Sequence, residues 1–164
     1  MSYTLLCESQ GQQFVPVHRW YDMDAQLSDM VRTLEVLSPQ SQLLLGHLLK
    51  NTIRRLIKMR GRNFTRGLNI KTFMGLIKSK RSRRWYDQSH TLHTAFNMLF
   101  SLDDLDKSLI ARELAAPVEL IHDYELYAKA HNDKVHTNVT FSILETYLTK
   151  GPEEALKMYA IFHT

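Results

Sequence analysis

Between Val36 and Tyr86 the chain has no aspartate or glutamate, although it carries 17 acidic residues among its 164. The same 51 residues hold thirteen Lys or Arg, so this block has a charge of +13 against +4 for the whole chain, and the remainder sums to −9. A cationic block of this density needs a polyanion, an anionic surface or the acidic parts of its own fold opposite it.

Cysteine is almost absent. The single Cys7 excludes an intrachain disulfide and a cysteine-cluster zinc site. This usage suits a reducing compartment, and a cytoplasmic location is expected. Long apolar runs are missing as well. Leu43–Leu45 is typical of the longest, far below the ~20 residues of a membrane span. The opening MSYTLLCESQGQQF has no basic region followed by an apolar stretch, so no signal peptide is expected. Glycine numbers only six, and neither a Gly-x-Gly-x-x-Gly fingerprint, a P-loop nor a Gly-x-Ser-x-Gly elbow occurs. Cys7 has no recognisable base. No catalytic residue, metal ligand or cofactor is assigned on these grounds.

What is present reads as one domain over residues 1–164, with 44% hydrophobic and 23% charged residues. The expected fold is mostly α: a multi-helix domain of about seven or eight helices behind a short N-terminal β-hairpin at 1–21. YTLLC and FVPVHRW would be its strands, with Pro16 forcing an edge or a bulge. Asp22 or Asp24 would cap a helix running to about Leu37, with Leu27, Met30, Val31, Leu34 and Leu37 inward. Ser38-Pro39 breaks it and starts a second helix over about 40–60. There Leu45, Leu48, Leu49, Thr52, Ile53, Leu56 and Ile57 face inward and His47, Lys50, Asn51, Arg54, Arg55 and Lys58 outward. A third helix is expected from about Ile70 and a fourth over 88–100. A fifth would be capped by Ser101, with Asp103, Asp104 and Asp106 in its first turn. Pro117 would open a sixth, and Lys150-Gly151-Pro152 would separate the last two, about 135–149 and 152–162. No internal repeat is expected.

Residues 87–164 hold twelve acids against six bases, so the basic block at 36–86 faces an acidic helical region at 87–164. The block has three candidate partners: phosphates, acidic protein surface of its own fold or of a partner, and an anionic membrane surface. Clustered Lys and Arg supply nucleic-acid affinity without sequence information, and Arg outnumbers Lys eight to five in the block, which suits bidentate phosphate contacts. The candidate nucleic-acid-binding residues are Lys50, Arg54, Arg55, Lys58, Arg60, Arg62 and Arg66 in a first patch and Lys78, Lys80, Arg81, Arg83 and Arg84 in a second. Trp85 would stack or anchor.

The segment KSLIARELAAPVELIHDYELY, residues 107–127, resembles the helix-turn-helix superfamily through Ile110, Ala111, Leu114, Ala116, Ile121 and Tyr124. It departs from that pattern at Ala115, where the turn usually has Gly. It also departs in its second helix, where Glu119, Asp123 and Glu125 suit a phosphate-lined groove poorly. These departures point instead to an acidic helical hairpin that contacts another protein or the chain's own basic block. The order His93, His122-Asp123, His131, Asp133 resembles HD-type metal phosphohydrolases, although Tyr124-Glu125-Leu126 replaces the residues usual after their His-Asp pair. The expected function is a non-enzymatic nucleic-acid-binding protein, a regulator, for either DNA or RNA. The alternatives are a protein-interaction adaptor using the basic face or the acidic hairpin, and a metal-dependent phosphohydrolase.

Overall fold

The computed structural model describes residues 19–61 and 84–161. Among them every regular element is helical. Helix α1, Ala25–Val36, begins where the Asp24 carboxylate accepts from the Leu27 N–H, closing one of the open donors of the first turn. Leu27, Met30, Val31 and Leu34 form its buried stripe. Proline at 39 keeps Ser38 extended, at ψ 151. Ser38 then caps helix α2, Pro39–Arg60, through the Ser41 N–H. Helix α2 buries Leu45, Leu49, Thr52 and Ile53 and stops at Gly61, whose φ of 79 suits glycine.

A 3-10 turn, Trp85–Gln88, leads into α3, His90–Phe100, capped by Ser89. Helix α3 lies close against α2 because Gly46 has no side chain. A Cβ there would sit 2.9 Å from Leu92 Cδ2. Helix α4, Asp104–Ala130, is capped by Asp103, whose side chain accepts from the Asp106 N–H. Helices α5, Thr137–Lys150, and α6, Pro152–Ile161, are separated by Gly151 at φ 93. Helix α4 is central and packs against α1, α2, α5 and α6. The buried apolar residues of α1–α6 form one cluster around it.

The helical class therefore stands, and six α-helices occur among the described residues. The expected helix from Ile70 and most of the N-terminal hairpin lie outside those residues. Two differences lie within them: Ser101, expected to cap the fifth helix, is the C-cap of α3, and Asp103 takes the N-cap of α4; and Pro117 stands inside α4 rather than at a new start. The helix-turn-helix-like hairpin at 107–127 is thus corrected to one continuous helix. The reason is phase. Ile110, Leu114, Pro117, Ile121, Tyr124 and Ala128 are buried at alternating steps of three and four, with no break at the proline. Contacts on both sides of Pro117 outweigh the hydrogen bond it cannot donate to the Glu113 carbonyl.

One buried carboxylate ties the central helix to the corner between α1 and α2. Glu125 accepts from the Ser38 N–H at 2.9 and 3.1 Å and from the Ser38 hydroxyl at 2.6 Å. Its charge lies at the N-terminus of α2, where the helix dipole favours an anion.

Candidate nucleic-acid interface

The basic block divides by what its side chains meet. Lys50, Arg54 and Lys58 recur every fourth residue on the outward side of α2, opposite the buried Leu45, Leu49 and Ile53. Arg54 and Lys58 are exposed and Lys50 is half-buried. None of the three has a carboxylate partner among the described residues. Each step along the row rises about 6 Å on the axis, so the three charges span about 12 Å.

Three arginines of the block are turned toward the acidic half. Arg55, on the flank of α2, pairs with Glu113 of α4, and both side chains are about half exposed. Arg60 reaches Asp106 of α4 at 2.5 Å. The Asp106 side chain is 1% exposed, and its Oδ2 has no hydrogen-bond partner among the described residues. Arg84 grips Asp87 through Nε at 2.8 Å and Nη2 at 3.1 Å. So the internal pairing that the charge division suggested is real for Arg55, Arg60 and Arg84, and it leaves Lys50, Arg54 and Lys58 open. Arg62, Arg66, Lys78, Lys80, Arg81 and Arg83 lie outside the described residues.

Trp85 is half-buried and packs edge-to-face on Phe96 and Tyr86, with centroids 5.3 and 5.5 Å away. It lines a cavity of about 270 Å³ together with Arg19, Trp20, Tyr21, Glu35, Arg84 and Tyr86. The first three belong to no expected site, although the sequence held a signal for them. Arg-Trp-Tyr-Asp occurs twice, at 19–22 and 84–87, and these copies contain both tryptophans of the chain. The expectation of no internal repeat fails at this short scale.

The two copies have similar local geometry. Trp20 meets Tyr21 at 5.4 Å and 83°, and Trp85 meets Tyr86 at 5.5 Å and 85°. The Arg19 guanidinium lies 5.8 Å from the Tyr21 ring centre, and that of Arg84 lies 4.8 Å from the Tyr86 ring centre. Asp22 accepts from the Arg19 N–H at 2.9 Å, whereas Asp87 takes the Arg84 side chain. Burial alone would raise the Asp87 pKa, but hydrogen bonds from Arg84 and His93, with their charges, hold it below the ordinary value. The hydrogen bond to Asp87 holds the Arg84 guanidinium above its own ordinary value.

The described histidines are engaged with neighbours of the fold or stand apart. His93 donates from Nδ1 to Asp87 at 2.8 Å and meets the Asn97 amide through Nε2 at 2.9 Å, so both of its nitrogens are engaged. No cluster of three or more His, Cys, Asp or Glu that would hold a metal occurs among the described residues. No described helix is long and apolar enough to cross a membrane. No protein-family model, curated protein or solved structure matches the chain.

Proposed function

We propose that this is a non-enzymatic nucleic-acid-binding protein with a regulatory role, whose phosphate contacts come from the Lys50–Arg54–Lys58 row of α2. The supporting observation is the division of the basic block: three cations share one outward helical stripe without carboxylate partners among the described residues, while Arg55, Arg60 and Arg84 are held by acids of the fold. A row of this kind is fixed by a helix whose other face belongs to the core, so its charges converge on a strand at little ordering cost. The reading predicts sequence-independent affinity that falls log-linearly with salt. Titration of labelled single-stranded and duplex oligonucleotides across salt, with the triple variant Lys50→Gln/Arg54→Gln/Lys58→Gln as control, tests it. Equal binding by wild type and triple variant would overturn it.

One observation favours the adaptor reading. Leu44 and Leu48 of α2 and Phe141, Leu144 and Leu148 of α5 line an apolar groove of about 270 Å³, and Phe141 and Leu148 are more than half exposed. The groove shares α2 with the cationic row, so it suits an amphipathic helix with acidic flanks. Binding of such a peptide, lost on Phe141→Ser and insensitive to the nucleic acid, would favour that function instead.

A further inference from the structure

The cavity between the two Arg-Trp-Tyr-Asp copies is built from segments 65 residues apart in the chain, and the fold holds them together firmly. The Trp20 indole N–H donates to the Tyr86 hydroxyl at 3.4 Å. Tyr86 stacks on Phe96 at 4.4 Å and 9°, and both tryptophans pack edge-on against the same Phe96, at 6.5 and 5.3 Å. Phe96 thus acts as a shared wedge that sets both indoles at the rim of one space. That space, about 270 Å³, is below the roughly 300–1,000 Å³ of sites for drug-sized ligands. It is of a size for one planar group.

Its lining selects the kind of group. Four aromatic side chains favour a flat π-system. A cationic guest, which an aromatic cage would otherwise take, is disfavoured because Arg19 and Arg84 already lie against Tyr21 and Tyr86. The hydrogen-bonding groups are mixed. The Trp85 Nε1–H is buried and has no acceptor among the described residues, and Glu35 lines the same space with its carboxylate 3.7 Å from the Arg19 guanidinium. Polar groups beside a stacking wall suit the edge and face of a nucleobase.

We propose that this cleft binds an unpaired nucleobase, stacked against Trp20 and Trp85. The inference rests on the nucleic-acid reading of the α2 row and deepens it: the protein prefers single strands to duplex. A duplex buries its base faces and offers the cleft nothing, whereas each stacked base of a single strand adds affinity.

Trp20 and Trp85 are the only tryptophans, so fluorescence excited selectively at tryptophan reports on this cleft. The test follows that fluorescence, and the anisotropy of labelled oligonucleotides, with a twelve-nucleotide single strand, a duplex of the same length and adenosine monophosphate. It compares wild type, Trp20→Phe and Trp85→Phe. Phenylalanine keeps an aromatic ring against Phe96 but removes the indole N–H and half of the stacking surface, and circular dichroism checks that each variant is folded. The expected result is tryptophan quenching by the single strand and not by the duplex. The expected loss is about 5- to 20-fold in single-strand affinity for each variant, with duplex affinity unchanged within twofold. Unchanged single-strand affinity in both variants would overturn the cleft while leaving the α2 row standing. Quenching by adenosine monophosphate without binding of either oligonucleotide would overturn the α2 reading and support the cleft as a free-nucleotide site. No quenching by any of the three probes would overturn the proposal.

Discussion

Replacing Arg60 by glutamine separates a structural cation from a binding one. Arg60 is 44% exposed, but the Asp106 carboxylate that it meets is buried at 1%. Without the guanidinium, the buried Asp106 carboxyl has no hydrogen-bond partner at either oxygen among the described residues. Breaking a fully buried pair costs about 3–5 kcal/mol. The exposed guanidinium lets water screen this site, which lowers the expected cost to about 2–3 kcal/mol. With a urea dependence of about 1–3 kcal/mol per molar, the unfolding midpoint should fall by about 1 M. The double variant Arg60→Gln/Asp106→Ala should be more stable than the sum of the single effects predicts, because the stranded carboxylate is gone. The assay is equilibrium urea unfolding followed by circular dichroism. An unchanged midpoint together with weakened oligonucleotide binding would refute the reasoning and return Arg60 to the phosphate-contacting set.

Three further perturbations probe other joints of the fold. Glu125→Ala leaves the Ser38 N–H without its acceptor at the α1–α2 corner and opens a void, so it should cost about 3 kcal/mol in urea unfolding, whereas Glu125→Gln, which keeps one oxygen, should cost about 1 kcal/mol. Pro117→Ala restores a hydrogen bond in the middle of α4 and should raise stability by about 1 kcal/mol after some lost packing; a loss of stability or of helical circular dichroism would instead favour a break at 117. The carboxyl of Asp24 is held below its ordinary 3.8 by the Ser108 hydroxyl and the Leu27 N–H, and Asp87 is lowered from the same 3.8 by Arg84 and His93 against its burial. Both folded pKa values are depressed, so their stabilising contribution is present above 3.8 and lost as pH falls through the folded values. The stability gap between wild type and Asp24→Asn or Asp87→Asn should therefore close below pH 3.8 in acid titrations; a gap that stays constant down to the acid limit would contradict these contacts.

Most of the helical frame was legible in the sequence. The cap at Asp22 or Asp24, the Ser38-Pro39 break and restart and the Gly151-Pro152 joint are local chemistry, and the inward stripe of α1 follows from spacing alone. Spacing alone puts Phe100 on the face of Phe96, yet it is 48% exposed at the end of α3, edge-to-face with Trp20 at 5.5 Å. Pro117 misled because a proline marks a helix start only when its surroundings do not bury it in phase. The site was legible in part. A run without acids identified the cations, but one-dimensional charge does not say which of them an acid will meet after folding. Glu113 and Asp106 lie 58 and 46 residues from Arg55 and Arg60, separations at which pairing depends on how α2 packs on α4. The repeated Arg-Trp-Tyr-Asp was visible as letters, but its convergence on Phe96 needed the fold.

The salt dependence of oligonucleotide binding tests the central claim most directly. Three phosphates neutralised by Lys50, Arg54 and Lys58 contribute about −2.7 to the slope of log affinity against log salt on duplex DNA, and about −2.1 on a single strand. The triple glutamine variant should lose that much slope, while Arg55→Gln, which removes a cation already paired with Glu113, should leave it nearly unchanged. A triple variant with the wild-type slope, or an Arg55→Gln slope reduced by a full unit, would contradict the assignment of the α2 row as the phosphate-binding face.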